Sequence, residues 1–407
     1  MKKNVFLRAG IILLCLITAF AGLPVCAEET DAKHYYELNV NYNLFYNKST
    51  QKTEAEITGG YAQLSQEDDA SEDKSHIVVA IPSEISVSVW NNSVEQKQYY
   101  PVTRIARNAF RYINEYGEIV IPASVTDIDS RAFANGGIMS YNVDPENKNY
   151  MSSNGVIFSK DGKTLLIYPA GSKTAIYDVP EGTEKIGDYA FLEIRNLMQV
   201  NLPDSVTEIG KSAFKECWGL RGVSIPDSVT KIGEEAFSCC NSLRGIYIPA
   251  LKNVSRTDIF DNYSVTIYTP SNSSLLEEGN NVKEMNNRIV RLDVYPVKNT
   301  YIESNDRYYL TILSLNLTFA DGSAEYFDSV YEFQEKYGIY LEAESDQNYN
   351  TWGIGSHSFY VSAFGLTCEV PVNVVENPFE SWEVITDIEV TDHMGGYYDY
   401  DNNRNMY

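Results

Sequence analysis

One residue type recurs along this chain at an interval too regular for an ordinary globule. Phe191, Phe214, Phe237 and Phe260 are each 23 residues apart, as are Phe110 and Phe133, and the gap of 58 between the two sets is 23 plus 35. A fixed period of about 20–50 residues is the mark of stacked repeats, in which each unit buries its apolar face only against its neighbours. Pro180, Pro203, Pro226 and Pro249 keep the same interval, and Pro122 lies 58 before the first. Two columns with one period predict a solenoid.

Each unit spells out its own coil. The residues one and three before the proline are apolar, as in Ile119 and Ile121, Tyr177 and Val179, Val200 and Leu202, Val223 and Ile225, Ile246 and Ile248. This is strand alternation with that face inward. Proline then ends the strand, because it has no N–H for the ladder. Gly187, Gly210 and Gly233 mark the next bend, and Ala109, Ala132, Ala190, Ala213 and Ala236 stand just before the phenylalanines. A small side chain there lets coils approach to about 4.8 Å, so the phenylalanines are expected to form one continuous aromatic core. A degenerate first coil ends at Pro82, and Pro270, only 21 after Pro249, suggests a closing cap.

The fullest units read VTEIGKSAFKECWGLRGVSIPDS from Val206 and VTKIGEEAFSCCNSLRGIYIP from Val229. They resemble the BspA-like leucine-rich repeat family, with its Val-Thr-x-Ile-Gly turn, its Ala-Phe pair before a cysteine and its Ile-x-Ile-Pro strand, over roughly residues 77–272. The 35-residue insertion after Phe133 contains Asp161-Gly162 between two apolar runs, a hairpin signal expected to pack on the solenoid edge. After a polar break at 277–288, alternating segments over 289–375 suggest a small sandwich that resembles bacterial immunoglobulin-like domains of group 3. The expected fold is therefore mainly β, a leucine-rich-repeat solenoid of 23-residue repeats followed by an immunoglobulin-like β-sandwich.

The expected order is a signal peptide (1–27), an N-terminal cap with the degenerate repeat (28–100), the repeats with a hairpin insertion at about 140–175 (101–276), the Ig-like domain (286–376), and a polar tail or the start of a further Ig-like module (377–407). Lys2, Lys3 and Arg8, an apolar run from Ala9 to Leu23 and Val25-Cys26-Ala27 read as a secretory leader cleaved after Ala27; Cys26 leaves lipidation as an alternative. No later run of about 18 apolar residues exists to span a membrane. The net charge of −24 opposes nucleic acid and anionic membranes, both of which select basic patches. A secreted or cell-surface monomer is expected.

No catalytic chemistry is legible. The four histidines, His34, His76, His357 and His393, lack metal-ligand spacing, and neither a phosphate-cradling loop nor a Gly-x-Ser-x-Gly elbow occurs. No cofactor or metal is expected: the alternate acids in DYDNN at Asp399 meet Arg404 where a calcium loop needs glycine. Cys217, Cys239, Cys240 and Cys368 remain after the leader; buried free thiols are favoured, with a disulfide or a metal among the first three as alternatives. Candidate ligand residues come instead from outward-facing strand positions, which vary where the inward ones are uniform. These give a concave face comprising Met198, Gln199, Asn201, Arg221, Ser224, Arg244 and Tyr247. The family resemblance implies a non-enzymatic exported bacterial surface or secreted protein, adhering through that face to host or extracellular macromolecules. The alternative is a carbohydrate-binding or substrate-capturing accessory region of a larger secreted enzyme, with the chain truncated at Tyr407. In either case the partner is an extracellular protein or glycan.

Overall fold

The computed structural model describes residues 34–62, 74–91, 94–111, 113, 116–251, 255–261, 265–278, 281–296, 300–302, 312–337, 342–345, 355–375, 397–399 and 404–406. The expected leader and most of the tail after 376 lie outside them. The described chain is mainly β, with short helices at Arg256–Ile259 and Val330–Tyr337.

The 23-residue period becomes inter-coil hydrogen bonding on three sides. The pre-proline strands form the first ladder in parallel register, Ile176↔Gln199↔Gly222 and Asp178↔Asn201↔Ser224. The Val-Thr-x-Ile turns form the second, Ile186↔Ile209↔Ile232. The Ala-Phe pairs supply the third: the Phe191 amide donates to the Ala213 carbonyl at 2.7 Å, Phe214 to Ala236 at 2.8 Å, and Phe110 to Ala132 at 2.8 Å. Beyond each proline the chain reverses, as where the Val206 amide donates to the Pro203 carbonyl at 3.0 Å.

Two positions in each of the three coils on Phe191, Phe214 and Phe237 adopt positive φ without glycine: Tyr189 (60°), Ser212 (51°) and Glu235 (55°), and Glu193 (60°), Glu216 (60°) and Cys239 (59°). That conformation costs about 1–2 kcal/mol for a residue with a Cβ. Here it aims an N–H at the next coil: Tyr189 donates to Lys211 at 3.0 Å, Ser212 to Glu234 at 2.9 Å, Glu193 to Lys215 at 2.9 Å. The stack holds the strained turns in place.

The aromatic column is real but divided. Phe191, Phe214, Phe237 and Phe260 stack with centroids 4.8, 5.1 and 5.6 Å apart, and Tyr168, which is 23 residues before Phe191, adds a rung at 5.0 Å. Phe110 and Phe133 stack separately at 5.2 Å. The core accordingly falls into two clusters, one centred on each set. The expected unbroken spine stops at Phe133, because the insertion enters the stack there instead of lying on its edge. Strand Thr164–Ile167 pairs in parallel with Lys185–Ile186 in the second ladder, and Val156, Phe158 and Leu165 enter the core. The Asp161-Gly162 hairpin forms, with Gly162 at φ +73°. A second hairpin, on Asn154 and Gly155 (φ 49° and 76°), joins Tyr150–Ser153 to Val156–Ser159; its Asn-Gly signal was legible but unread.

Both ends differ from expectation. At the start, the long hairpin His34–Asn47 and Lys52–Ala62 adds one strand to each ladder, pairing with Ile77–Ala80 and with Val102–Ile105. At the other end no cap closes the stack near Pro270. The first ladder continues through Thr266–Thr269 to Val282–Glu284, inside the stretch read as a polar break.

Residues 289–375 build two sheets. Ile289–Pro296, Ile312–Phe319 and Ala324–Phe327 form one; Thr300–Ile302, Leu366–Val375, Gly355–Ala363 and Glu342–Ser345 form the other. The helix Val330–Tyr337 lies between consecutive strands where only strands were anticipated, and buries Phe333 against Phe327 and Phe364. This core also takes in Tyr247 and Tyr268 from the repeat stack.

Candidate ligand face

The first ladder is broken into separate runs. No ladder pairing joins Gly222–Ser224 to Gly245–Tyr247, although each pairs with its other neighbour. At that gap sits a turn from the C-terminal module. Phe364 and Gly365 (φ 57° and 81°) tip the hairpin of Gly355–Ala363 and Leu366–Val375. A Cβ on Gly222 would lie 2.0 Å from the Gly365 carbonyl oxygen, and one on Gly365 would lie 2.8 Å from the Gly245 carbonyl. Gly222 and Gly245 are thus contact residues: at Gly222 only bare backbone admits the tip, and the Gly245 backbone meets it from the next rung. Phe364 packs edge-on to Tyr268 at 5.2 Å and to Tyr337 at 5.1 Å.

Charge reinforces the docking. Arg288, directly before the first strand of the module, reaches Asp204 and Asp227 at 3.6 Å each, with its side chain only 10% exposed. The Tyr247 hydroxyl donates to Asp227 Oδ1 at 2.6 Å. Burial, and then that bond to a carboxylate, push the Tyr247 phenol above its ordinary range.

The seven candidate residues separate accordingly. Gln199, Arg221 and Tyr247 are buried, at 1%, 6% and 5% exposure. The expectation of an open face does not hold at these three positions, because the hairpin tip covers the carboxy-terminal rungs. Met198, Asn201 and Ser224 are partly exposed and Arg244 is exposed. Asn201 is held in a polar chain: its Nδ2 donates to Asp178 Oδ1 at 2.7 Å, and it accepts from Gln199 Nε2 at 2.9 Å. Upstream, Asn142 Nδ2 donates to Glu118 at 3.1 Å. The open part of the ladder therefore presents carboxylates and amides, suited to hydrogen-bonded recognition. Asp204, Asp227, Arg288 and the Phe364-Gly365 tip escaped sequence reasoning, since nothing periodic links them.

The four cysteines among the described residues are free. Cys217 and Cys240 are buried, and their thiols donate to the Phe191 and Phe214 carbonyls of the preceding coil at 2.8 and 3.0 Å. Burial pushes the Cys217 thiol up to about 12. They are structural donors in the period. Cys239 is partly exposed, and its thiol donates to Asp261 at 3.0 Å. Among the described residues no group of His, Cys, Asp and Glu could hold a metal ion, and no helix is long and apolar enough to cross a membrane.

Comparison with known proteins found similarities of two kinds. No curated protein sequence matches the chain. Among solved structures, the pneumococcal vaccine antigen PcpA is similar at 18% identity and TM-score 0.35, over 50% of this chain and 64% of PcpA, so the chain spans less than two thirds of it. A leucine rich cell surface protein from Faecalibacterium prausnitzii is 15% identical at TM-score 0.32, over 65% of this chain and 95% of that one. A leucine-rich repeat protein from Bacteroides capillosus is 27% identical at TM-score 0.26, over 30% of this chain and 99% of that one. Residues 86–160 and 171–280, the span that holds most of the stacked coils, match the BspA type leucine rich repeat region in six copies.

Proposed function

We propose that the protein is an exported bacterial surface or secreted binding protein that adheres to an extracellular protein or glycan through the open part of its first ladder. The observation that carries this reading is the contrast between faces. Inward positions repeat a single chemistry for packing, while Asp178, Asn201 and Ser224, in register on adjacent rungs, each offer a different polar group outward. Stacked repeats use such outward columns as extended binding surfaces. The six BspA-type copies support the same class. In this reading Met198, Asn201, Ser224 and Arg244 touch ligand directly. Gln199 positions Asn201, and Arg221 and Tyr247 belong to the docked interface. The leader read over residues 1–27 supplies export, and the C-terminal module is an immunoglobulin-like spacer that also fixes the direction of the face. The protein acts as a monomer, and no step of the reading requires catalysis.

The test is an array of extracellular matrix proteins and polysaccharides probed with the mature chain. Binding to at least one class is expected, and a triple Asn201→Ala, Ser224→Ala, Arg244→Ala variant should lose at least tenfold in affinity. Binding that survives the triple variant unchanged would remove the face from consideration.

A further inference from the structure

The lysines of the repeats are mostly neutralised. Lys163, Lys185, Lys211, Lys215 and Lys231 each lie within 3.0 Å of a glutamate. Lys173 and Arg195 are exposed, and among the described residues neither has a carboxylate partner. Both line one groove of about 590 Å³. It opens between the loops after Phe133, Tyr168 and Phe191 because the first of these is short. Only residues 134–137 separate Phe133 from its strand, whereas residues 215–221 separate Phe214 from the next one.

The lining side chains are polar apart from Ile113 and one alanine, and three glycines expose bare backbone beside them. Its single carboxylate among the described residues, Glu193, has a side chain only 8% exposed and is paired with Arg111 at 2.6 Å. The groove is therefore locally cationic within a chain of net charge −24. Arg195 is held in place by stacking on Trp218, with the guanidinium 4.9 Å from the ring centroid. That contact reduces the entropy an arginine loses on gripping an anion. Asn196 Nδ2 donates to the Ser172 carbonyl at 3.1 Å, leaving its amide oxygen to accept, and Asn135 lines the opposite loop.

We propose that this groove is a binding site for an acidic saccharide, separate from the first-ladder face and independent of it. The carboxylate of a uronate sits between Arg195 and Lys173, and its hydroxyls meet Asn135, Asn196 and the backbone of the glycine-rich floor. An apolar peptide side chain would find almost nothing to bury against, which favours a sugar hydroxylated on all sides.

The experiment is isothermal titration of the mature protein with trigalacturonate, against neutral galactotriose and inorganic sulfate. Trigalacturonate is expected to bind at least tenfold more tightly than either control, and to weaken at least tenfold in a Lys173→Gln, Arg195→Gln double variant whose thermal unfolding is unchanged. Trp218 emission should shift on saturation and stay fixed in the double variant. Equal binding of galactotriose, sulfate as tight as the uronate, no binding at all, or full affinity in the double variant would each overturn the site. A loss of uronate binding in the Asn201, Ser224 and Arg244 triple variant, with the groove variant unaffected, would place the sugar on the ladder instead.

Discussion

Truncating the middle of the aromatic column measures how much the stack depends on it. Phe214 is fully buried and sandwiched between Phe191 at 4.8 Å and Phe237 at 5.1 Å, with interplanar angles of 11° and 6°. Phe214→Ala removes a buried side chain worth about 2–3 kcal/mol in transfer free energy. Flanking rings are held by their own inter-coil bonds, so the site collapses poorly, and a residual cavity of about 80 Å³ at about 24 cal/mol per Å³ adds about 2 kcal/mol. The expected cost is about 4–5 kcal/mol, the upper part of the usual range. Phe260 has one stacked partner, at 5.6 Å, and is 5% exposed, so Phe260→Ala should cost about 2 kcal/mol less. Urea unfolding followed by far-ultraviolet circular dichroism gives both values, with the shift in midpoint compared at constant slope. Equal costs, or a Phe214→Ala cost below about 2 kcal/mol, would refute the column as the main packing element.

Gly222→Ala, whose Cβ would meet the Gly365 carbonyl at 2.0 Å, should undock the C-terminal hairpin and raise protease cleavage between the repeats and residue 289, whereas Gly182→Ala, which strains its own turn at φ +87° but meets no atom within 4 Å, should not. Arg288→Ala should increase the same cleavage and make it less sensitive to salt, because it removes the pairs to Asp204 and Asp227. Glu208 is held below its ordinary range first by the hydrogen bond from Lys231 and also by Lys185, against its partial burial. Its stabilising contribution is therefore complete above the unfolded carboxylate value of 4.5 and is lost as pH falls through the lower folded value. Thermal melts between pH 5 and pH 3, roughly the span below an ordinary carboxylate, should show a shallower acid decline in Glu208→Gln. Native Cys217 and Cys240 should resist a thiol reagent at pH 8 while Cys239 reacts; unfolding should release both. Fast labelling of either buried thiol in the native state would contradict their placement.

Much of the stack was legible because its determinants are local and periodic. Ile186, Ile209 and Ile232, or Phe191, Phe214 and Phe237, meet their own equivalents one coil away, so sequence spacing and spatial neighbourhood coincide. The same logic located Cys217 beside the column, and the strand before each proline. It failed where the period is interrupted. Tyr168 occupies a phenylalanine rung but was counted within the insertion, and the insertion's strands join the second ladder, which its spacing does not announce. The helix Val330–Tyr337 falls between the alternating segments, and at 8 residues it is too short to display a helical period.

Sequence alone determined that the chain must stack, which faces point inward, and where each strand ends, since those choices depend on neighbours a fixed 23 residues away. Only the tertiary structure decided which outward residues remain open. Gly222 and Gly245 look like drift in a variable column, yet they are the bare backbone on which Phe364 and Gly365 rest. That contact joins residues more than a hundred positions apart through shape, an unpaired rung and the charge of Arg288, none of which has a period to betray it.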